Sequence, residues 1–278
     1  MEEHTCSSEF AGVNIISTSC FLIGLLVTLK HLISLSKWIF ATFLRSQIDL
    51  IRTYGSWAMV TGATDGIGKA MAHRLAHRGL NIILVSRSSK RLQTVATELQ
   101  ARHPHILVKA IQMDFSGDIA EGLRQIAAAT RELDLGILIN NVGITYPGAM
   151  FFDQVEEKVW RKILKVNVEG TTRCSYVDQL SRSLHVEYKQ YGIHVQCQVP
   201  LYVATKMVSK VACIEKDSLF IPTPEAYAKA AMRKIGHGPR CTPYWAHSVQ
   251  WFFAGLAPDP LLDSWRFSIA MRRWKGIQ

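Results

Sequence analysis

Thr61-Gly62-Ala63-Thr64-Asp65-Gly66-Ile67-Gly68 stands between an apolar run, Trp57–Val60, and a segment of helical period, Ile67–Arg78. A glycine-rich loop joining a strand to a helix permits a tight turn. It also lets backbone approach a pyrophosphate, which the amino end of the following helix then attracts. The Gly-x-x-x-Gly-x-Gly spacing is weak alone and informative in a strand–loop–helix context. That context continues on both sides. Predicted strands are Trp57–Val60, Ile82–Ser86, Leu107–Met113, Gly136–Ile139 and His194–Val199. Predicted helices are Ile67–Arg78, Lys90–Arg102, Ile119–Thr130 and Gln154–Lys165. Such alternation is the pattern of βαβ units and a parallel sheet, so the fold class is α/β, doubly wound.

The second strand ends in Ser86-Arg87-Ser88-Ser89-Lys90-Arg91. An acidic residue at its end would bond the ribose diol of NAD. Arg87, with Lys90 and Arg91 beside it, suits a 2′-phosphate instead, and NADPH is the expected cofactor.

Composition bounds the rest. The 278 residues carry 32 Lys+Arg against 22 Asp+Glu, a formal charge of +10, and 48% are hydrophobic. Disorder as the overall state is excluded. The basic residues are spread along the chain without interleaved aromatics on one run, so no nucleic acid is expected as a partner. Six scattered cysteines with no Cys-x-x-Cys pair argue against a zinc ribbon or a disulfide scaffold. His73 and His77 have the i, i+4 spacing of a metal pair. Arg74 and Arg78 flank them and would repel a cation, so a solvated face is expected and no metal.

Residues Phe10 to Leu29 contain no charge, about the ~20 residues a helix needs to cross a bilayer. Acidic Glu2 and Glu3 precede this run, and Lys30, Lys37, Arg45 and Arg52 follow it. The positive-inside rule then places the bulk of the chain in the cytosol. The apolar stretch Leu32–Leu44, interrupted by Lys37, is expected as an interfacial helix. At the other end, Tyr244–Gln278 is rich in Trp and Phe beside Arg272, Arg273 and Lys275, with Pro258-Asp259-Pro260 breaking it in two. It suits either the headgroup level of a membrane or a cover over the substrate cleft. The expected domains are an anchor and juxtamembrane segment at 1–45, a nucleotide-binding domain at 46–243 and the tail at 244–278.

Thr61–Gly68, Asp114 after the third strand, Asn140-Asn141-Val142-Gly143 after the fourth and Asn167 on the next helix resemble the short-chain dehydrogenase/reductase family. With the apolar amino-terminal helix and the phrases NVEGTT and VQCQVPLYVATKM, the chain looks like its microsomal branch. That branch contains very-long-chain 3-oxoacyl-CoA reductases and 17β-hydroxysteroid dehydrogenases, and the wording is most similar to the plant reductases. The resemblance implies an oxidoreductase of lipid metabolism, built on a Rossmann-type sheet in the endoplasmic reticulum membrane and facing the cytosol. Its implied partners are an acyl-CoA substrate, or alternatively a 17-ketosteroid, and other fatty-acid elongase subunits. It also implies cofactor contacts from Gly62, Ala63, Thr64, Asp65, Gly66, Ile67 and Gly68. Asp114 would contact adenine, Asn141 would line the nicotinamide ribose, and Thr205 would lie near the carboxamide.

Enzymes of this class take a proton from a tyrosine whose pKa is lowered by a lysine four residues on, while a serine holds the carbonyl oxygen. Of that set only Asn167 is recognisable. The 26 residues from Asn167 to Ile193 are too few for the rest of a helix, a strand, a loop and a second long helix. After Arg173 the text resumes at Cys174 in the middle of what resembles the tyrosine-bearing helix. The fifth strand, the serine, the tyrosine and the lysine are therefore expected to be absent. Tyr202-Val203-Ala204-Thr205-Lys206 spells Tyr-x-x-x-Lys, but follows a strand and Pro200 rather than lying on a helix, and reads as a decoy. Tyr176 has Leu180 four residues on and no lysine. Three readings stay open: an elongation reductase, a non-catalytic relative that binds NADPH or partner subunits, and a defective splice product.

Overall fold

The computed structural model describes residues 3–146, 155–170, 185–212, 214 and 216–275. The chain divides into two compact units, Met1–Ser46 and Gln47–Gln278.

The first unit is one helix, α1 (Glu3–Ile39), ending in a π-helical turn at Phe40–Leu44. The expected division between a span and a separate interfacial helix is not there. Lys30 and His31 interrupt the hydropathy but not the backbone: both are helix-compatible, and no proline stands between Leu29 and Leu44. Ser17–Leu44, with mean hydropathy 1.7 and no buried residue, is long and apolar enough to cross a membrane. Thr28 satisfies its hydroxyl inside the helix, donating to the Gly24 carbonyl at 2.8 Å.

The second unit opens with a short helix, α2 (Leu50–Tyr54), whose amino end is capped by the Asp49 carboxylate. Four βα steps follow: β1 (Trp57–Thr61), α3 (Gly66–His77), β2 (Asn81–Ser86), α4 (Ser89–Arg102), β3 (Val108–Gln112), α5 (Ile119–Thr130), β4 (Leu135–Ile139) and α6 (Glu157–Leu164). A π-helical turn, Lys165–Gly170, continues α6. The strands form one parallel sheet in the order β3-β2-β1-β4. Three of the four βα turns supply their own cap: the side chains of Asp65, Ser88 and Asp118 accept from the first backbone N–H groups of α3, α4 and α5, while α6 has no side-chain cap.

Strand periodicity sorts the core onto two faces. Ala58, Val60, Ile82 and Leu84 pack on one side with Leu75 of α3 and Leu99 of α4. Trp57, Met59, Ile83 and Val85 pack on the other with Met113, Phe115, Ile119 and Val166. β1 is buried along its whole length and β2 at all but its first residue, the near-continuous apolar strands of a sheet covered on both faces.

Beyond β4 this order stops. After a helical turn at residues 185–188 and a 3-10 turn at Lys189–Tyr191, the chain forms β5 (Cys197–Gln198), α7 (Lys206–Ala212), α8 (Pro224–Met232), β6 (Arg240–Cys241), α9 (Trp245–Leu256) and α10 (Asp259–Lys275). β5 is shorter than the expected His194–Val199, and it pairs in parallel with β6 as a separate two-stranded sheet. Among the described residues no strand lies between β4 and β5. Among the described residues β4 is therefore the last strand of the sheet: Leu135 is 37% and Leu138 50% exposed, in a strand whose inner neighbour β1 is buried throughout. The junction Arg173–Cys174, Tyr176 and Leu180 lie outside the described residues. The tail breaks at Pro258 as expected. Ala246 and His247 of α9 are buried, while Trp251, Phe252, Phe253 and Leu256 at its end are exposed.

Candidate functional site

The glycine loop lies at the carboxyl end of β1, where the open ends of parallel strands converge. Gly62 (φ 64°) and Gly66 (φ 55°) both take left-handed backbone, which a side chain would strain. A Cβ on Gly62 would lie 3.1 Å from the Asn141 amide and 3.2 Å from Val142. The loop is thus pressed against the turn after β4. That contact is hydrogen-bonded: the Thr61 hydroxyl accepts from the backbone N–H of Asn141 (3.0 Å) and of Val142 (3.2 Å). The Asn141 amide donates back to the carbonyls of Thr61 (3.2 Å) and Gly62 (3.4 Å).

A cleft of about 450 Å³ opens above the loop. Of the residues expected to touch cofactor, Gly62, Thr64, Asp65, Gly66, Ile67, Arg87, Asp114, Asn141 and Thr205 all line it. Ala63 and Gly68 do not. Ala63 is fully buried and its N–H donates to the Val85 carbonyl. Gly68 lies so close to the Gly62 carbonyl that a Cβ there would overlap it at 2.4 Å. Both shape the loop from beneath.

The electrostatics favour an anion. Arg87, Arg91, Lys162 and Lys206 line the cleft, against the carboxylates of Asp65 and Asp114. Asp114 is held below the usual carboxylate range first by the Ser116 backbone N–H, then by the Ser116 hydroxyl, with Lys162 and Arg87 adding attraction. Partial burial works against ionisation of Asp65. It is outweighed by the Lys206 ammonium at 2.9 Å and the Gly66 N–H at 2.8 Å, and the carboxyl is also held low. At the end of β2, the Thr64 and Ser86 hydroxyls meet at 3.1 Å beside Arg87, Ser88 and Arg91. This polar, basic corner fits a phosphate, and the glycine cradle fits a diphosphate.

Asn167 is not in the cleft wall. It faces the loop after β4, accepting from the Ile144 N–H (2.8 Å) and donating to the Ile144 carbonyl (2.7 Å). Tyr202 is 46% exposed and outside the cleft, in the segment before α7, while Lys206 is the first residue of α7. The helical i, i+4 juxtaposition of a tyrosine and its lysine is not formed. His247 holds this segment from behind. It is fully buried, and its Nδ1 accepts from the Leu201 N–H at 3.3 Å. That fixes the proton on Nε2, which donates to the Tyr202 carbonyl at 3.2 Å. His73 lies 3.8 Å from Glu98 and His77 stacks edge-on with His103, so the pair divides between two neighbours.

Sequence reasoning missed Lys162 and the Thr64–Ser86 pair. Lys162 comes from α6, far along the chain, and no local pattern marks it. Lys206 was read only as half of a decoy, yet it lines the cleft.

A family profile described as short chain dehydrogenase matches residues 56–177. A very-long-chain 3-oxoacyl-CoA reductase-like protein of Arabidopsis thaliana is 51% identical, covering 91% of this chain and 93% of its own. An inactive hydroxysteroid dehydrogenase-like protein 1 of Homo sapiens is 37% identical, covering 81% of this chain and 79% of its own. Among solved structures, a short-chain dehydrogenase from Sphingobium yanoikuyae in complex with NADPH superposes with a TM-score of 0.60 at 21% identity, over 74% of this chain and 95% of that one. The Arabidopsis alignment runs over 295 positions, whereas 91% of 278 residues is about 253. About 42 positions thus have no counterpart here, room for a strand, a helix and their loops. The human alignment, 265 positions against about 225 residues, leaves a gap of about 40, nearly the same size.

Proposed function

The chain belongs to the short-chain dehydrogenase family, and on that premise we propose that it is a membrane-anchored, NADPH-binding relative of the very-long-chain 3-oxoacyl-CoA reductases that does not itself reduce a ketone. The observation that carries the proposal is the broken sheet. The nucleotide-binding half is continuous from β1 to β4, no further strand joins that sheet among the described residues, and the alignments with the relatives leave about 40 positions without a counterpart, which supports the loss of the next strand. Arg87, Ser88 and Arg91 would take a 2′-phosphate, Gly62–Gly66 the diphosphate and Asp114 the adenine, with Thr205 at the nicotinamide end.

NADPH, when bound, supplies a hydride. The proton and the polarised carbonyl must come from the chain, and the described residues offer no group placed to supply them. Asn167 is engaged with the Ile144 backbone. Tyr202 is outside the cleft, and the ammonium of Lys206 is paired with Asp65. Proton donation is typically worth ~10²–10⁴-fold in rate, and losing the serine's hydrogen bond to the developing oxyanion costs about as much again.

The rest of the reading concerns place. α1 would insert in the endoplasmic reticulum membrane with the second unit in the cytosol, by the excess of Lys and Arg after the span. The exposed Trp and Phe residues of α9 and α10 would rest at the headgroup level, where aromatic side chains are stable. An acyl-CoA is the substrate class we propose, on the names of the 3-oxoacyl-CoA reductase relatives, with a 17-ketosteroid as the alternative that the hydroxysteroid dehydrogenase-like relatives suggest and elongase subunits as proposed partners.

A chimera tests the proposal. The stretch of the Arabidopsis relative that follows its counterpart of Arg173, inserted between Arg173 and Cys174, should confer 3-oxoacyl-CoA reduction on a chain that we propose lacks it. Equal activity with and without the insertion would overturn it.

A further inference from the structure

Lys206 has an assignment of its own. Its ammonium lies 2.9 Å from the Asp65 carboxylate, and both residues line the cleft. Asp65 is the amino-terminal cap of α3 and accepts from the Gly66 N–H at 2.8 Å. The two residues are 141 positions apart in sequence, so the contact joins the glycine loop to the segment leading into α7. That segment is held independently of the ion pair. His247 bonds Leu201 and Tyr202, the Ala204 N–H donates to the Pro222 carbonyl, and the Thr205 methyl lies over Gly66, 3.2 Å from where a Cβ would stand. The backbone beneath Lys206 is therefore fixed, while its side chain is 79% exposed beyond its contact with Asp65.

Apart from Lys162 of α6, the cleft offers cations in two places: Arg87 and Arg91 just after β2, and Lys206 over the glycine loop. A dinucleotide phosphorylated on its ribose also carries anionic charge in two places, the 2′-phosphate and the diphosphate. Building on the cofactor reading of the cleft, we propose that Lys206 is a cofactor latch: Asp65 holds it in the cofactor-free chain, and the diphosphate takes it over on binding. The Asp65 carboxylate stands in for the diphosphate at the same cation. Entry of the anion releases Asp65 toward the Gly66 N–H and solvent, and exchanges one charge-assisted contact for another. Asp65 thereby lowers affinity for the cofactor, and Lys206 raises it.

Isothermal titration of the full chain in detergent micelles tests this with two probes: NADPH, and adenosine 2′-monophosphate, which has the 2′-phosphate and no diphosphate. Lys206→Gln should weaken NADPH roughly tenfold, leave adenosine 2′-monophosphate unchanged and flatten the salt dependence of NADPH binding, while Lys206→Arg should retain it. Asp65→Asn keeps a competent helix cap and should tighten NADPH several-fold by removing the competing carboxylate. An unchanged NADPH affinity in Lys206→Gln overturns the proposal. So does equal weakening of both probes, which would mark Lys206 as a prop for the loop. Asp65→Asn with no gain removes the latch. If the parent chain binds neither probe, the cofactor reading of the cleft fails, and this inference with it.

Discussion

Asn167 grips Ile144 at both ends of its amide, accepting at 2.8 Å and donating at 2.7 Å, and so fixes the loop that carries Asn141 against the glycine loop. Asn167→Leu should therefore cost about 1–3 kcal/mol of stability by leaving the Ile144 backbone groups unpaired, and should weaken NADPH binding through the displaced Asn141. Thermal melts and cofactor titration together check this. Full stability in the variant would remove Asn167 from the architecture of the cleft.

Cofactor choice follows from the corner at the end of β2. Arg87→Asp should reverse a preference for NADPH over NADH by removing a charge-assisted contact and adding repulsion. Equal affinity for the two cofactors in the parent chain would refute the role of Arg87.

Acid should destabilise the second unit through its histidines. Burial pushes the His247 pKa down, and its two hydrogen bonds require the neutral ring. Burial lowers His73 as well, with Arg102 and Lys69 adding repulsion. A folded pKa below the unfolded value means that the unfolded chain binds the proton more readily. The stabilisation is full above about 6.5, the unfolded value, and is lost as pH falls through the folded values. The melting temperature should drop between pH 7.5 and 5, and His247→Phe should flatten that drop. A variant as steep as the parent would show that His247 does not carry it.

The outer side of β4 should make the chain associate. Leu138 is half exposed on a strand that pairs only with β1 among the described residues, the arrangement that recruits other strands. Leu138→Lys should shift light scattering of the solubilised chain toward the monomer with little change in melting temperature. A large loss of stability would mean that the edge is packed.

The fold was legible in the sequence wherever a local rule held. The glycine loop marked a strand-to-helix turn, β2 held the apolar run Ile82–Val85, and segments of helical period stood where α3, α4 and α5 form. Most of the cleft followed from the same motifs. What escaped was carried by contacts between distant segments: Lys162 from α6, and the bond from Lys206 to Asp65 across 141 residues. The helix through Lys30 and His31 escaped for the opposite reason. A change in hydropathy was read as a change in conformation, although nothing there breaks a helix.

If, as proposed, the chain holds NADPH without oxidising it, one experiment should show both. NADPH fluorescence, followed as purified full-length chain and then a long-chain 3-oxoacyl-CoA are added, reads both halves at once. The account predicts a rise in emission on adding the protein, and then a signal that stays level with substrate present, in the parent and in Tyr202→Phe alike. A rapid decay of the signal with substrate, abolished by Tyr202→Phe, would contradict it and show a reductase site rebuilt around the segment before α7.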